Sequence, residues 1–153
     1  MKKKRSRPNG NFAELKRVFA TLQGPNGCPW DKEQTHLSIL PQLREEVQEL
    51  VDAVEKGDDA HMREELGDVL LHVMFHSEIA ARDGRFTIED VIEGLVDKLK
   101  RRHPHVFGSA KITSSAQVVK RWNEIKREEK RRKKQAVSGK VSRPAGEMSR
   151  TGI

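Results

Sequence analysis

The chain has 153 residues, of which 35% are hydrophobic and 35% charged, with one cysteine and a formal net charge of +7. This length suits a single domain and excludes a large two-domain enzyme. No apolar run reaches the roughly 18 residues that cross a bilayer, and no apolar segment follows the basic N-terminus, so neither a membrane span nor a secretory signal is expected. The lone Cys28 excludes a disulfide framework and a cysteine-based zinc site, and it favours a cytoplasmic location.

The positive charge is unevenly distributed along the chain. Residues 1–7 carry five lysines and arginines, and residues 126–153 carry ten against three acidic residues, whereas residues 8–125 carry 15 basic and 20 acidic residues. The central part is therefore net acidic. The two ends have too few large apolar residues to offset the entropy of ordering. We expect disordered basic tails at 1–8 and 132–153 around one folded domain at 9–131, with nucleic-acid binding weak and confined to the tails.

Between the tails, apolar residues recur at intervals of three and four, which is typical of amphipathic helices, and strand patterns are nearly absent. A first helix is expected at 12–22, because the turn-forming residues 24–30 follow it. A second helix is expected at 41–56, with Pro41 at its first position.

Three further helices complete the predicted fold. The third is expected at 59–82 and the fourth at 88–102, where Thr87 and Asp90 have the spacing of a helix cap. A last helix is expected at 115–131. We therefore predict an all-α fold, an antiparallel bundle of about four to five helices.

The third predicted helix is apolar around nearly its whole circumference. Its large apolar residues are Leu66, Val69, Leu70, Leu71, Val73, Met74, Phe75 and Ile79. A few short neighbouring helices in a small monomer cannot cover such a helix. A homo-oligomer, most simply a dimer, is therefore expected.

Four acidic residues lie in positions that are unusual for a solvated helix face. Glu65 and Asp68 share one face of the third helix with apolar residues, and Glu46 and Glu49 lie beside the apolar stripe of the second. The centres of the two pairs are equally far along the chain from Gly57. In an antiparallel helical hairpin that turns at Gly57, the two pairs should therefore lie level with each other across one groove.

Four converging carboxylates without a cysteine form a hard oxygen site. Such a site suits Mg²⁺ or Mn²⁺ rather than Zn²⁺. The alternative is a solvated acidic face whose carboxylates pair with nearby lysines and arginines. The apolar surroundings of Glu65 and Asp68 favour the metal site, because unpaired buried carboxylates are costly.

These acidic residues and several longer segments resemble a known family. Glu45-Glu46-x-x-Glu49 followed by Glu65-x-x-Asp68 is similar to the acidic signature of the MazG-type nucleoside triphosphate pyrophosphohydrolases, which are all-α enzymes. More specific matches, in the same order as in the family, are Gly27-Cys-Pro-Trp-Asp-Lys-Glu-Gln-Thr35, Glu65-Leu-Gly-Asp68, Lys98-Leu-Lys-Arg-Arg-His-Pro-His-Val-Phe107 and Arg121-Trp-Asn-Glu-Ile-Lys126. The resemblance covers about residues 11–130. The chain has one module, most like the N-terminal module of two-module relatives, followed by a basic tail.

The resemblance implies an activity and a set of site residues. The activity is Mg²⁺-dependent cleavage of a nucleoside triphosphate between its α and β phosphates, which gives the monophosphate and pyrophosphate. Glu46, Glu49, Glu65 and Asp68 would hold the metal ion. Nucleotide contacts would fall on Glu45, Lys98, Arg101, Arg102 and Trp122. Glu45, which lies off the ligand stripe, is the candidate catalytic group that orients or deprotonates the attacking water.

The candidate substrate-binding residues also have simpler structural explanations. Lys98, Arg101 and Arg102 are spaced i, i+3, i+4, so one helical face can offer three cations to a triphosphate. Cations in a last helical turn also complement the helix dipole. Trp122 can stack on a base, but a lone tryptophan at helical spacing with apolar residues is more often part of a core.

The sequence is also compatible with two other functional interpretations. One is a catalytically weak or inactive module of the same fold that binds nucleotides or a protein partner. The other is a nucleic-acid-associated protein that uses its basic tails, whose binding would fall steeply with salt.

Overall fold

The computed structural model describes residues 11–141, with side chains to residue 137, in two units that divide between residues 93 and 94. Within the described residues the chain is all α-helical, as predicted, and contains no strand. The helices are α1 (Phe12–Gln23), α2 (Pro29–Glu33), α3 (Leu40–Lys56), α4 (Asp59–Arg82), α5 (Ile88–Arg102), α6 (Pro104–Phe107) and α7 (Ser115–Val141). No helix in this range has the length and apolar character needed to cross a membrane.

The long helices α1, α3, α4 and α5 match the predicted bounds closely, α7 begins at its predicted position, and the two short helices α2 and α6 were not predicted. Each short helix begins at a proline, Pro29 or Pro104, whose fixed φ suits a first helical position. With five and four residues, they are too short to show a 3.6-residue periodicity.

The largest difference from prediction is at the end of α7, which continues to Val141 instead of ending at residue 131. The added segment contains lysine, arginine, glutamine and alanine, which all favour helix, and its charge alone does not end a helix. The predicted disorder of the C-terminal tail therefore differs from the structure over 132–141. The rest of that tail, 142–153, and the N-terminal tail, 1–8, lie outside the described residues.

The hairpin of α3 and α4 turns at Gly57, as the sequence predicts. Gly57 has φ = +68°, in the left-handed region that favours glycine, and its N–H closes α3. The Asp58 side chain then accepts hydrogen bonds from the N–H groups of Ala60 and His61 and caps α4. The two helices therefore pack antiparallel, and residues equidistant from Gly57 come level.

The core of the first unit gathers around the C-terminal half of α4. Its buried residues are Phe19, Ile39, Met74, Phe75, Ile79 and Ile88, with Leu15 packed against them. Phe75 packs nearly perpendicular to two other rings, with centroid distances of 5.6 Å to Phe19 and 6.3 Å to Trp30. These contacts fix α1 and α2 against α4.

Polar contacts fasten the segment between α2 and α3 to the end of α4. His36 Nδ1 lies 2.7 Å from His76 Nδ1, the two rings stack, and the Arg85 guanidinium contacts His36 Nε2. A guanidinium can only donate, so His36 Nε2 accepts and the proton of the ring is on Nδ1. His36 therefore donates from Nδ1 to Nδ1 of His76.

The start of α5 has the predicted cap. The Thr87 N–H donates to Asp90 Oδ2 at 2.7 Å, and the Asp90 N–H donates to Thr87 Oγ1 at 3.4 Å. The Thr87 hydroxyl also donates to Asp90 Oδ2, and the hydrogen bonds from the Thr87 N–H and hydroxyl lower the pKa of Asp90.

Replacement of His76 should reduce the pH dependence of stability. Burial, and then the charges of His36 and His72, lower the pKa of His76 below its usual 6.5. The unfolded chain therefore binds this proton at a higher pH than the folded chain does, and stability falls as the pH drops below about 6.5. We expect the free energy of unfolding, measured with urea between pH 7.5 and 5.5, to fall less steeply in His76→Gln than in the wild type. One proton accounts for at most about 1.4 kcal/mol per pH unit. Equal slopes in the wild type and in His76→Gln would contradict the assignment of this pH dependence to His76.

Candidate functional site

Helices α3 and α4 bring three of the predicted metal ligands together. Carboxylate oxygens of Glu46, Glu65 and Asp68 all lie within 4.8 Å of one another. Glu46 comes from α3, and Glu65 and Asp68 come from α4, one turn apart on one face. The turn at Gly57 produces this arrangement, because it sets the register of the two helices.

Glu65 is the most deeply placed of these acids, with 4% of its surface exposed. Its Oε1 lies 2.8 Å from His61 Nε2, whereas its Oε2 is buried and has no hydrogen-bond partner. A buried charged oxygen without a partner is destabilising unless a proton or a cation satisfies it. Glu65 thus has one unpartnered oxygen, and its carboxylate is grouped with those of Glu46 and Asp68, an arrangement that fits the donor set of a hard divalent cation.

The acids of this cluster repel one another. The pKa of Glu46 is raised, first by burial and then by the negative charges of Asp68, Glu49 and Glu65. Among the described residues, no lysine or arginine forms an ion pair with any of the five predicted acidic site residues. The alternative of a solvated face held by lysine and arginine pairs therefore has no support in this part of the chain.

Glu49 and Glu45 occupy different positions from the other acids. Glu49 is exposed on α3, and its oxygen forms a second group with ligand atoms of His61 and Glu65, again within 4.8 Å. Glu45 is exposed beside Glu46 and belongs to neither group of possible ligands found among the described residues.

The sequence reasoning missed His61. It lies one turn before Glu65 on α4, and 38% of its side chain is exposed. Its i, i+4 spacing from Glu65 was the available signal. Nothing local distinguishes it, however, from a surface histidine in the first turn of a helix.

In the second unit, α5 and α7 are joined by charged groups. Glu129 accepts from Arg101 Nε at 2.7 Å and from a terminal nitrogen of Arg102 at 2.6 Å. The hydrogen bond from Arg102, and then the hydrogen bond and charge of Arg101, lower the pKa of Glu129 to about 2. Two of the three cations predicted to bind phosphate are therefore paired with a carboxylate that the sequence reasoning did not identify.

Trp122 and Lys98 also lie in the second unit. The Arg102 guanidinium carbon lies 5.0 Å from the centroid of the Trp122 ring, and the His103 ring meets Trp122 at 5.1 Å and 68°. Trp122 thus contacts both Arg102 and His103 and is half-buried. Lys98 is half-buried and, unlike the two arginines, makes no ion pair with any described residue.

Comparisons with known proteins identify relatives of this chain. Residues 34–107 match the model of the MazG nucleotide pyrophosphohydrolase domain. The Thermotoga maritima protein named nucleoside triphosphate pyrophosphohydrolase/pyrophosphatase MazG is 48% identical over 141 residues, which are 91% of this chain and 54% of that protein. The Escherichia coli K12 nucleoside triphosphate pyrophosphohydrolase is 44% identical over 119 residues, which are 77% of this chain and 45% of that protein. The chain thus spans about half the length of these two relatives.

One solved structure is matched by this chain over nearly the whole length of the solved chain. The crystal structure of a mazG-related protein from Thermotoga maritima has a TM-score of 0.60 and 32% sequence identity, and the match covers 74% of this chain and 96% of that one. The helical hairpin with its acidic cluster, the domain match and this nearly complete structural match together show that the chain belongs to the MazG family.

Proposed function

We propose that the chain is a Mg²⁺-dependent nucleoside triphosphate pyrophosphohydrolase, which converts a ribo- or deoxyribonucleoside triphosphate and water into the monophosphate and pyrophosphate. The observation that carries the proposal is the buried, unpartnered Oε2 of Glu65, which lies in a cluster with the carboxylates of Glu46 and Asp68. The names of the relatives support the same reaction. The single free Cys28 supports a cytoplasmic location.

The acidic cluster would hold the metal ion. Glu46, Glu65 and Asp68 would bind it directly, and Glu49 is the fourth predicted ligand. A divalent cation at this position supplies charge neutralisation of phosphate oxygens and a lowered pKa of a bound water. Mg²⁺ is expected rather than Zn²⁺ because the cluster offers oxygen ligands, and Mn²⁺ is the closest substitute.

The remaining site residues would position the water and the substrate. Glu45 would orient or deprotonate the water that attacks the α-phosphorus. The new bond joins the water oxygen to phosphorus, and the bond to the bridging oxygen breaks as pyrophosphate leaves. Lys98 is best suited to bind the phosphates, because its charge is not paired within the described residues.

Contacts that are already present limit how the substrate can be bound by Arg101, Arg102 and Trp122. Either arginine can bind a phosphate only if it shares or breaks its ion pair with Glu129. Trp122 can stack on a base only with the ring face that Arg102 does not cover. We therefore propose that Arg101, Arg102 and Trp122 shape the binding surface and that Lys98 provides the first phosphate contact.

We also propose a homo-oligomer, most simply a dimer. The hairpin exposes two apolar stripes at i, i+4, i+7 spacing. They are Val47, Val51 and Val54 on α3, and Leu66, Leu70 and Val73 on α4, and each of these side chains is at least 39% exposed. Contiguous apolar surface of this kind is characteristic of subunit interfaces.

Loss of the buried carboxylate should abolish hydrolysis without unfolding the chain. Glu65→Gln removes a metal-binding charge, and we expect kcat/KM to fall by roughly a hundredfold or more. The unfolding free energy should change little, because an amide can keep the contact with His61 and is less costly to bury than a carboxylate with one unpartnered oxygen. The assay should separate mono-, di- and pyrophosphate products over a panel of nucleoside triphosphates with Mg²⁺. Glu64→Gln, an exposed neighbour on the same helix, is the matched control.

Three outcomes would contradict the proposed function. Unchanged turnover in folded Glu65→Gln would remove the metal-site assignment. Release of diphosphate and orthophosphate would exclude cleavage between the α and β phosphates. Nucleotide binding without any product would favour the non-catalytic binding module.

Lys98 should affect substrate binding. In Lys98→Gln we expect KM to rise roughly 10- to 100-fold, the loss typical of one charge-assisted hydrogen bond. Lys100→Gln, which removes an exposed cation from the same helix, should leave KM close to that of the wild type. Equal effects of the two variants would indicate that only the overall charge of α5 matters.

The oligomer is tested by sedimentation. Leu66→Arg with Leu70→Arg places two charges on the exposed stripe of α4 and should shift the protein to monomer. Leu37→Arg, at a leucine that is 77% exposed before α3, should retain the wild-type mass. A monomeric wild type would overturn this proposal.

A further inference from the structure

Helix α7 is strongly basic, and most of its cations lie on one side. Successive residues of an α-helix turn by about 100°, which places seven exposed cations within a sector of about 160°. This sector is the basic face, and its cations are Lys120, Lys126, Arg127, Lys130, Arg131, Lys133 and Lys134. The three acidic residues of the helix, Glu124, Glu128 and Glu129, fall outside the sector.

A different side of α7 holds the helix against the end of α5. The carboxylate of Glu129 forms ion pairs with Arg101 and Arg102, and Arg102 also lies over the Trp122 ring. Ile125, on the same side as Trp122, is 8% exposed. None of Trp122, Ile125 and Glu129 falls within the basic face. The fold of the second unit therefore leaves the basic face open to solvent.

The charge of the basic face is largely uncompensated within the described part of the chain. Lys126, Lys130 and Lys133 form no ion pair with any described residue. The spacings between them are i, i+4 and i, i+3, at which like charges destabilise a helix. Binding of a polyanion would relieve this repulsion.

Part of the basic face is shaped to receive a phosphate group. A depression in the surface is lined by Asn123, Lys126, Arg127 and Lys130, which lie on two successive turns of α7. This lining has three cations, an amide that can donate hydrogen bonds, and no carboxylate. Phosphate oxygens accept charge-assisted hydrogen bonds from such groups.

The composition of the basic face favours a nucleic acid over other polyanionic partners. Between residues 120 and 134 the sector contains only cations and Asn123, and so no apolar or aromatic side chain. Protein interfaces are depleted of lysine and depend on aromatic and arginine anchors in packed pockets. Helices that bind membrane surfaces insert an apolar face. Contacts to a phosphate backbone, by contrast, need only lysine, arginine and polar donors.

A duplex fits the basic face better than a single strand does. Proteins that bind single strands stack the bases on aromatic side chains, which this face lacks. From Asn123 to Lys133 the helix rises about 15 Å. This length corresponds to about four phosphates of one strand of a duplex, at 3.4 Å each.

We propose that the basic face of α7 binds the phosphate backbone of a nucleic-acid duplex without regard to base sequence. The sequence predicted weak binding of this kind only for the tails, whereas the depression at Lys126, Arg127 and Lys130 lies within the predicted folded domain. The proposed contact needs neither a metal ion nor a nucleotide, so it does not depend on the proposed hydrolysis.

The test is binding of the full chain to a fluorescently labelled duplex of about 20 base pairs, followed by anisotropy at about 50 to 200 mM salt. The wild type should bind two unrelated sequences alike and more weakly as salt rises. Combined Lys126→Gln, Arg127→Gln and Lys130→Gln should weaken binding roughly tenfold or more and reduce the salt slope by about 2 to 3. Glutamine favours helix about as well as lysine does, so circular dichroism should be unchanged.

Two further variants control for net charge and for side-chain shape. Combined Lys2→Gln, Lys3→Gln and Lys4→Gln removes the same charge from the N-terminal tail, and should weaken binding less than about threefold. Lys126→Arg with Lys130→Arg keeps both charges and should bind as the wild type does. DNA and RNA duplexes of equal length are compared, because both present a phosphate backbone. Binding of either supports the proposal, and the tighter one identifies the source.

The opposite results would overturn the proposal. They are the absence of duplex binding by the wild type, or equal losses in the two triple variants, which would assign binding to net charge. Tighter binding of a single strand than of a duplex would exclude the duplex backbone as the ligand. Tighter binding of anionic lipid vesicles or of polyglutamate than of the duplex would assign the basic face to a membrane or to an acidic protein.

Discussion

The burial of the Glu65 carboxylate, with one oxygen unpartnered, is the constraint on which the acidic groove depends. The Glu65 position of α4 packs against α3, and such a position would normally hold an apolar residue. A buried carboxylate there is stable only when a proton or a positive charge compensates it. In the described structure Glu65 Oε1 lies against the half-exposed His61, and burial together with the neighbouring acids raises the pKa of Glu46. The hairpin is thus held in a form whose electrostatics improve when a cation is bound.

Much of the fold could be predicted from the sequence, because it follows from local patterns. Helical periodicity and capping residues gave the bounds of α4 and α5, and the position of Gly57 between two acidic pairs led to the register of the hairpin. The short helices were missed because four or five residues carry no periodicity. The extension of α7 was missed because a basic, polar composition is compatible with both a helix and a disordered tail.

The candidate site was predicted less completely, because several of its residues are defined by tertiary contacts. The sequence indicated which carboxylates converge, but not that Glu49 would be grouped with His61. It indicated a cationic face at the end of α5, but not that Glu129, 27 residues after Arg102, would neutralise two of its three members. Such pairings depend on how helices pack, which a single sequence does not encode in a short motif.

The acidic residues and the buried apolar residues of α4 lie in different halves of the helix, and this separation bears on the stability of the protein in a cell. The 24 residues of α4 span about 36 Å, with the acids near one end and the buried apolar residues toward the other. The hydrophobic core is therefore built from residues other than the acids, whereas in a zinc finger the metal ligands themselves hold the fold together. A cation that binds only the folded hairpin adds stability by mass action, so metal-loaded chains should resist proteolysis better than metal-free ones, and cation supply should affect the abundance of the protein as well as its specific activity.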